Sequence, residues 1–567
     1  MAKRPPAFDR MACIDAALGR KPADDLFSHA CLYDPFSCNW TDTDFAVSRG
    51  RIVGVGNGYR AKKTHDLRGR RVIPGLIDAH VHIESSLLVP SEYARVAAAH
   101  GTTTVIADPH EISNVCGKQG LEYMISEREG LPIDILFMLP SCVPATPLDA
   151  GGASLSAEDL GDYAGREGII GLGEVMNVPA VLEKDHDMWE KLRLFSVIDG
   201  HAPLLNEHPL NAYLCAGIQS DHECTGPGEA VQKLRRGMYI FLREGTTEKN
   251  LSALLPLANP CTAPRLCYAT DDRHADLLVK DGHIDDCIRK SLDMGLELET
   301  GLRMATLSPA ERFMLPDRGA LAPGRRADFC ILDGGEPFSI STTYAGGRPV
   351  ASFPRRAPRP LPSPMAAEVP RPAQLSINGE GTARVIGIVP GQILTRELLL
   401  WVDGTHVPDI DRDILKVVVC SRYRRGKAGV GLVHGFGLER GAIAGSVAHD
   451  AHNLVAVGAD DDSIRRALAS IITPGGGLAV VDSEGSEVLP LECAGLMSLL
   501  PAEEVAEKLG LLHERAKSLG AVPGAFMYLS FLSLTVIPHL RITERGVFDG
   551  ETFRDVPLFL ETAQGNR

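Results

Sequence analysis

Two histidines one residue apart, His80 and His82, close the run IPGLIDAHVHIESS at residues 73–86. Residues i and i+2 of a strand point to the same side, so the two imidazoles would face one point. Together they form half a site for a divalent metal. The alternative is a chance HxH pair, since short motifs carry a real false-positive rate. That alternative weakens because ionisable residues recur at the ends of later apolar runs. Glu174 ends IIGLGE, His201 lies in FSVIDGHAP, His222 in AGIQSDHE and Asp271 in CYATDD. Four imidazoles and two carboxylates in this order suit two metals bridged by a carboxylate.

Such a set needs a frame that brings strand ends together. Eight short apolar runs are visible at 72–77, 103–107, 133–139, 169–174, 196–199, 216–220, 238–242 and 265–269. Each is followed by a small or polar loop and then a helix-like segment. Eight such units fit a (β/α)8 TIM-like barrel of roughly 250 residues, whose active groups sit at the C-terminal ends of the strands. The expected class is α/β, in five parts. Residues 1–25 read as a helical lead-in, and 73–316 as the barrel. Segments 26–72 and 317–353, flanking it, read as a small composite β-sandwich. Residues 354–372 hold seven prolines and read as a linker. Residues 373–567 read as a C-terminal α/β domain.

The order HxH, bridging group on strand four, His on five, His on six and Asp on eight resembles the amidohydrolase superfamily. Within it, the chain is similar to the adenine deaminase family. The resembling blocks include DAHVHIESS (78–86), TTTVIADPHEISNV (102–115), GLGEVMN (171–177), RGAIAGSVAHDAHNLVAVG (440–458) and FMYLSFLSLTVIPHLRITERGVFD (526–549), so they span nearly the whole chain. The resemblance implies two divalent metals per chain, with Mn2+ expected and Fe2+ or Zn2+ as alternatives. It implies His80 and His82 on one metal, His201 and His222 on the other, and Glu174 bridging. Many relatives use a carboxylated lysine as the bridge, but no lysine lies between Lys118 and Lys184. Asp271 is expected to bind the first metal and handle protons while a hydroxide attacks C6 of adenine. The products would be hypoxanthine and ammonia, a purine salvage reaction. Another amidohydrolase, acting on a different aminoheterocycle or a cyclic amide, is the first alternative. A barrel without catalysis is the second, disfavoured because every expected ligand is present.

Around these ligands the resemblance suggests further roles. Asp108, His110 and Glu111 end the second run and are candidates for substrate recognition, with Glu111 a proton donor near N1; a solvated charged loop is the alternative. Asp272 is a candidate acceptor for a ring N–H, or a turn stabiliser. Glu84, Ser85 and Ser86 either line the mouth or support it from behind. His449 and His452 are expected in a lid or a hydrogen-bond cluster rather than in another metal site, because no further ligands lie near them in sequence.

Composition sets the remaining bounds. The chain has 567 residues, 58 basic and 73 acidic, for a net charge of −15. That charge repels nucleic acid and anionic membranes. The most apolar stretch, Ala525–Ile537, is far shorter than the ~20 residues of a helical span. The first twenty residues lack a secretory core, and 13 scattered cysteines suggest no disulfide framework. The expected partner is a small purine base, in a cytoplasmic homo-oligomer, most simply a dimer.

Overall fold

The structure is a computed structural model and describes residues 10–560 apart from 147, 335–337 and 393. Eight parallel strands follow the order of the apolar runs: Leu76–Val81, Thr102–Ala107, Asp134–Leu139, Ile169–Val175, Ile198–Gly200, Ser220–Asp221, Tyr239–Arg243 and Leu266–Ala269. The first two are buried at every position. That is how strands covered on both faces behave, and why they read as continuous apolar runs. Hydrogen-bonded ladders join the first five strands into one arc and the last three into another. Backbone bonds close the seams. Gln219 N donates to Ile198 O at 3.2 Å, and Asp271 N to His80 O at 3.0 Å. Ile106, Leu136, Met138, Phe241, Cys267 and Ala269 form one buried cluster with Phe313. Strands two, three, seven and eight can meet this way only across a shared interior.

Two strands differ from expectation by more than two residues at a boundary. The first run splits at Pro74. Arg71–Pro74 joins a flanking sheet, and the barrel strand starts at Leu76. Gly75 permits the crossing, since a Cβ there would lie 2.2 Å from Thr103 Oγ1. The sixth strand is only Ser220–Asp221, because Ala216 and Gly217 donate back to the preceding helix, Glu207–Cys215, and finish it.

The flanking segments pair as expected, with Phe329, Cys330 and Ile331 antiparallel to Pro74, Ile73 and Val72. They form one eight-stranded sheet rather than two separate ones, because the long strand Ala23–Asp34 pairs with three neighbours. Of the expected lead-in, residues 1–9 lie outside the described residues. The rest gives the helix Arg10–Ala17, and the sheet begins at Ala23.

A second eight-stranded sheet runs from Glu380 to Pro490, followed by the helix Ala502–Ser518 and the buried helix Ala525–Phe531. The proline-rich segment before it is not a free linker. Arg355 pairs with Glu92 at 3.1 Å, Arg356 and Arg359 with Glu127, and Ala366 N donates to Arg422 O at 2.7 Å. Prolines remove backbone donors, but arginines strap this segment to the barrel.

Candidate metal centre

His80 lies in the first strand and His82 directly after it. Asp78 braces them by accepting from His80 N at 3.2 Å and from Thr270 N at 3.2 Å, across the barrel seam. The two histidine Nε2 atoms stand 3.1 Å apart, aimed at one point. Glu174, from strand four, has one oxygen toward each histidine pair. Its Oε1 is 3.2 Å from His82 Nε2, and its Oε2 is 2.8 Å from His201 Nδ1 and 3.2 Å from His222 Nε2. Asp271 Oδ1 lies 3.5 Å from His80 Nε2 and 3.2 Å from His82 Nε2. The Asp271 backbone is left-handed, φ 54°, uncommon for a residue with a Cβ and enriched at functional sites.

All six side chains are buried. Burial pushes the Glu174 carboxyl up, but His222 and its other ring neighbours outweigh that and hold it well below the usual range. Burial also raises Asp271, and Arg243 with His80 and His82 holds it low. Burial lowers His201, while Glu223 and Glu174 bring it up to about 9. Buried charges are stable only when paired or metal-bound. The donors fit a bound cation: His80–His82–Glu174 and Glu174–His201–His222 each hold their ligand atoms within 4.8 Å of one another. Nitrogen and oxygen donors of this kind suit a divalent metal.

The second-strand residues divide. Asp108 faces inward but accepts from Glu174 N at 2.9 Å, so it braces the residue that carries the shared carboxylate. Gly173 makes room for it, since a Cβ there would lie 2.1 Å from Asp108 Oδ2. His110 lines the cavity with Asp272. Glu84 does not line it. Its Oε1 accepts from Ile112 N at 3.1 Å, anchoring the helix His110–Glu127, and burial pushes its carboxyl up to about 7. Ser86 is likewise structural, bonding to Ile83 O at 2.6 Å.

Glu111 departs from the expected proton donor. His449 Nδ1 hydrogen-bonds one of its oxygens and His452 Nε2 the other. Burial raises its carboxyl, but His449, His452 and His110 outweigh this and hold it well below the usual range. That direction favours the carboxylate over the acid and counts against the proton-donor role. The two histidines and Glu111 form a cluster that reaches across to the barrel, and its three ligand atoms lie within 4.8 Å of one another, so Glu111 supplies the third ligand that the local sequence lacked.

Several further residues of the cavity were not singled out from sequence. Arg243 pairs with Asp271 Oδ2 at 2.6 Å and with Glu223. Glu248 carries a buried oxygen, Oε2, without a hydrogen-bond partner. A charged residue closing an apolar strand is the signal that found Glu174. It would have found Arg243 had the seventh run not been ended one residue early. Phe531, Leu534 and Val536 form an apolar wall from the C-terminal segment. A larger cleft of about 730 Å³ lies between loops at Ser141–Leu155 and Asn177–Lys191 and includes none of the six candidate ligands. Size alone does not locate the site.

Residues 71–350 match the amidohydrolase family model and residues 392–554 the adenine deaminase C-terminal domain. An adenine deaminase of Methanoculleus marisnigri is 61% identical over 91% of this chain and 100% of its own length. One of Methanoregula boonei is 58% identical over 96% of this chain and 98% of its own. Among solved structures, the L-hydantoinase of Arthrobacter aurescens is 16% identical, covering 58% of this chain and 96% of its own, with a TM-score of 0.44. The chain belongs to the adenine deaminase family, within the amidohydrolases.

Proposed function

We propose that the chain hydrolyses adenine to hypoxanthine and ammonia at the barrel mouth. The observation that carries the reading is the single carboxylate of Glu174 shared between two histidine pairs, with Asp271 facing the first. His80, His82, Glu174 and Asp271 would hold one divalent metal, and His201, His222 and Glu174 the other, with Mn2+ preferred over Fe2+ or Zn2+. Bound there, the metals would make water nucleophilic near neutral pH.

The chain's own groups do the rest. Arg243 ties down Asp271 Oδ2 and leaves Oδ1 facing the centre. Asp271 is thus placed to take a proton from the water and deliver it to N6 as ammonia departs. Asp272 Oδ1 and Glu248 Oε2 are buried, have no hydrogen-bond partner and belong to residues lining the cavity. They are suited to accept N–H groups of a purine, since an unpaired buried acceptor is costly until a ligand meets it. Phe531, Leu534 and Val536 would cover the ring and exclude water. An apolar recess of about 410 Å³ shares Met176, His201 and Val536 with this cavity and offers an entry path.

The same reading makes the enzyme a cytoplasmic homo-oligomer of purine salvage. Thirteen free cysteines support a reducing compartment, and no helix among the described residues is long and apolar enough to cross a membrane. As domains we propose a composite β unit (23–74 and 317–353), the barrel (75–316), a strap (354–372) and a C-terminal domain (373–567). The test is adenine loss against hypoxanthine and ammonia formation by Mn2+-loaded protein. No hypoxanthine from protein holding two metals would sink the substrate assignment.

A further inference from the structure

The cluster around Glu111 can be resolved by counting hydrogens. Ala448 N–H donates to His452 Nδ1 at 3.2 Å. That nitrogen therefore carries no proton, and the His452 ring is neutral with its proton on Nε2, which donates to Glu111 Oε2. The other carboxylate oxygen accepts from His449 Nδ1. His449 Nε2 has no protein partner among the described residues, and the residue lines the cavity that holds the candidate ligands. The ring is held firmly, with His449 N donating to Ser530 O at 2.9 Å and Phe531 stacked on it at 4.7 Å and 17°. A carboxylate on one ring nitrogen, with the other nitrogen facing substrate, is the arrangement by which proteins fix a catalytic imidazole.

We propose that His449, supplied by the C-terminal segment, is the catalytic residue that protonates N1 of the purine, with Glu111 as the carboxylate that orients it. The proposal rests on the adenine reading above. As a water oxygen bonds to C6, the C6–N1 π pair moves onto N1, which takes the proton from His449 Nε2. The water's first proton passes through Asp271 to N6, and the C6–N6 bond breaks with its electron pair leaving on ammonia. The remaining hydroxyl proton returns to the neutral His449 ring as the C6 carbonyl forms. N1–H stays on hypoxanthine, and His449 is restored. Burial lowers the proton affinity of His449, but Glu111, Asp272 and Asp450, which face it, raise it to about 9. His452 is the cationic competitor, and burial holds it neutral against the pull of Glu111.

The experiment compares metal-replete wild type with His449→Gln and Glu111→Gln. Wild type must first form hypoxanthine; if it does not, the adenine reading fails by itself. His449→Gln is expected to keep two metals and an adenine KM within a few-fold, while kcat falls about 10²–10⁴-fold. The alkaline decline of kcat near pH 9 should vanish in it. In Glu111→Gln that decline should move to lower pH, because the ring loses its stabilising carboxylate. A kcat for His449→Gln close to that of wild type would overturn the proposal, as would an alkaline limb unmoved in both variants. Three metals per chain, dropping to two in His449→Gln, would make the ring a metal ligand and also overturn it. Should neither variant fold, histidine ¹⁵N spectra of the Zn2+-loaded wild type decide. A cationic His449 at pH 7 supports the assignment, and a neutral one refutes it.

Discussion

The cavity is built by two regions that reach it differently. In the barrel, each candidate ligand stands where a strand ends, and eight repeats of one unit turn those ends toward a common axis. In the C-terminal segment, His449 and His452 sit in an irregular loop. They acquire a role only through Glu111, which is 338 and 341 residues away in the chain. A repeating architecture shows its site in the spacing of its residues. A contact between distant segments does not, because nothing local in sequence records the partner.

The contrast can be broken at its strongest point first. Metal removal, or Glu174→Gln with its loss of one bridging charge, should reduce adenine turnover to background. Two equivalents of metal should restore the chelated wild type but not the variant, as read by metal content and hypoxanthine formation. Asp271→Asn should keep the metals and lose about 10²–10⁴-fold in kcat; near-normal turnover would remove its proton-handling role. His452→Phe takes one of the two histidine donors from Glu111. A group that orients another typically matters by about 10–100-fold, so a smaller kcat loss with unchanged metal content is expected. An effect as large as that of Asp271→Asn would mean that His452 does more than hold Glu111 in place.

The smallest effect lies at the other end of the barrel, before the second strand. There Asp285 meets His100 at 3.1 Å and Arg289 at 2.7 Å. Burial raises its carboxyl, but His100 and Arg289 bring it down to about 2. A folded value below the unfolded one contributes stability above about pH 4, which is lost as the pH falls toward 2. Asp285→Asn should therefore cost about 2 kcal/mol at neutral pH. In denaturant titrations, the gap to wild type should close on acidification. kcat should not change.

Much of the barrel was legible because strands buried on both faces must be apolar throughout. Ile106 and Val105 face opposite sides, and both are fully buried. The sixth strand was misread because the apolar residues Ala216–Ile218 finish a helix and its turn. The strap was misread because its prolines are visible in sequence, while Glu92 and Glu127, the partners of its arginines, are far away. Glu111 was marked as unusual from DPHE, but its proton state depends on His449 and His452 and could not be read from those four residues alone. Glu84 was marked by its neighbours His80 and His82, yet the chain turns after His82 and sends its carboxylate behind the helix start.

The separation of Glu111 from its two histidines is also a separation in time. At about 5–20 residues per second, a ribosome completes the barrel's second strand roughly 20–70 s before His449 and His452 are made. During that interval the growing chain can assemble every candidate metal ligand. The Glu111 carboxylate meanwhile has neither histidine against it. On the proposal above, a nascent barrel that had taken up metals would still lack its N1 proton donor, and full turnover would begin only when the last third of the chain has been made and folded onto it.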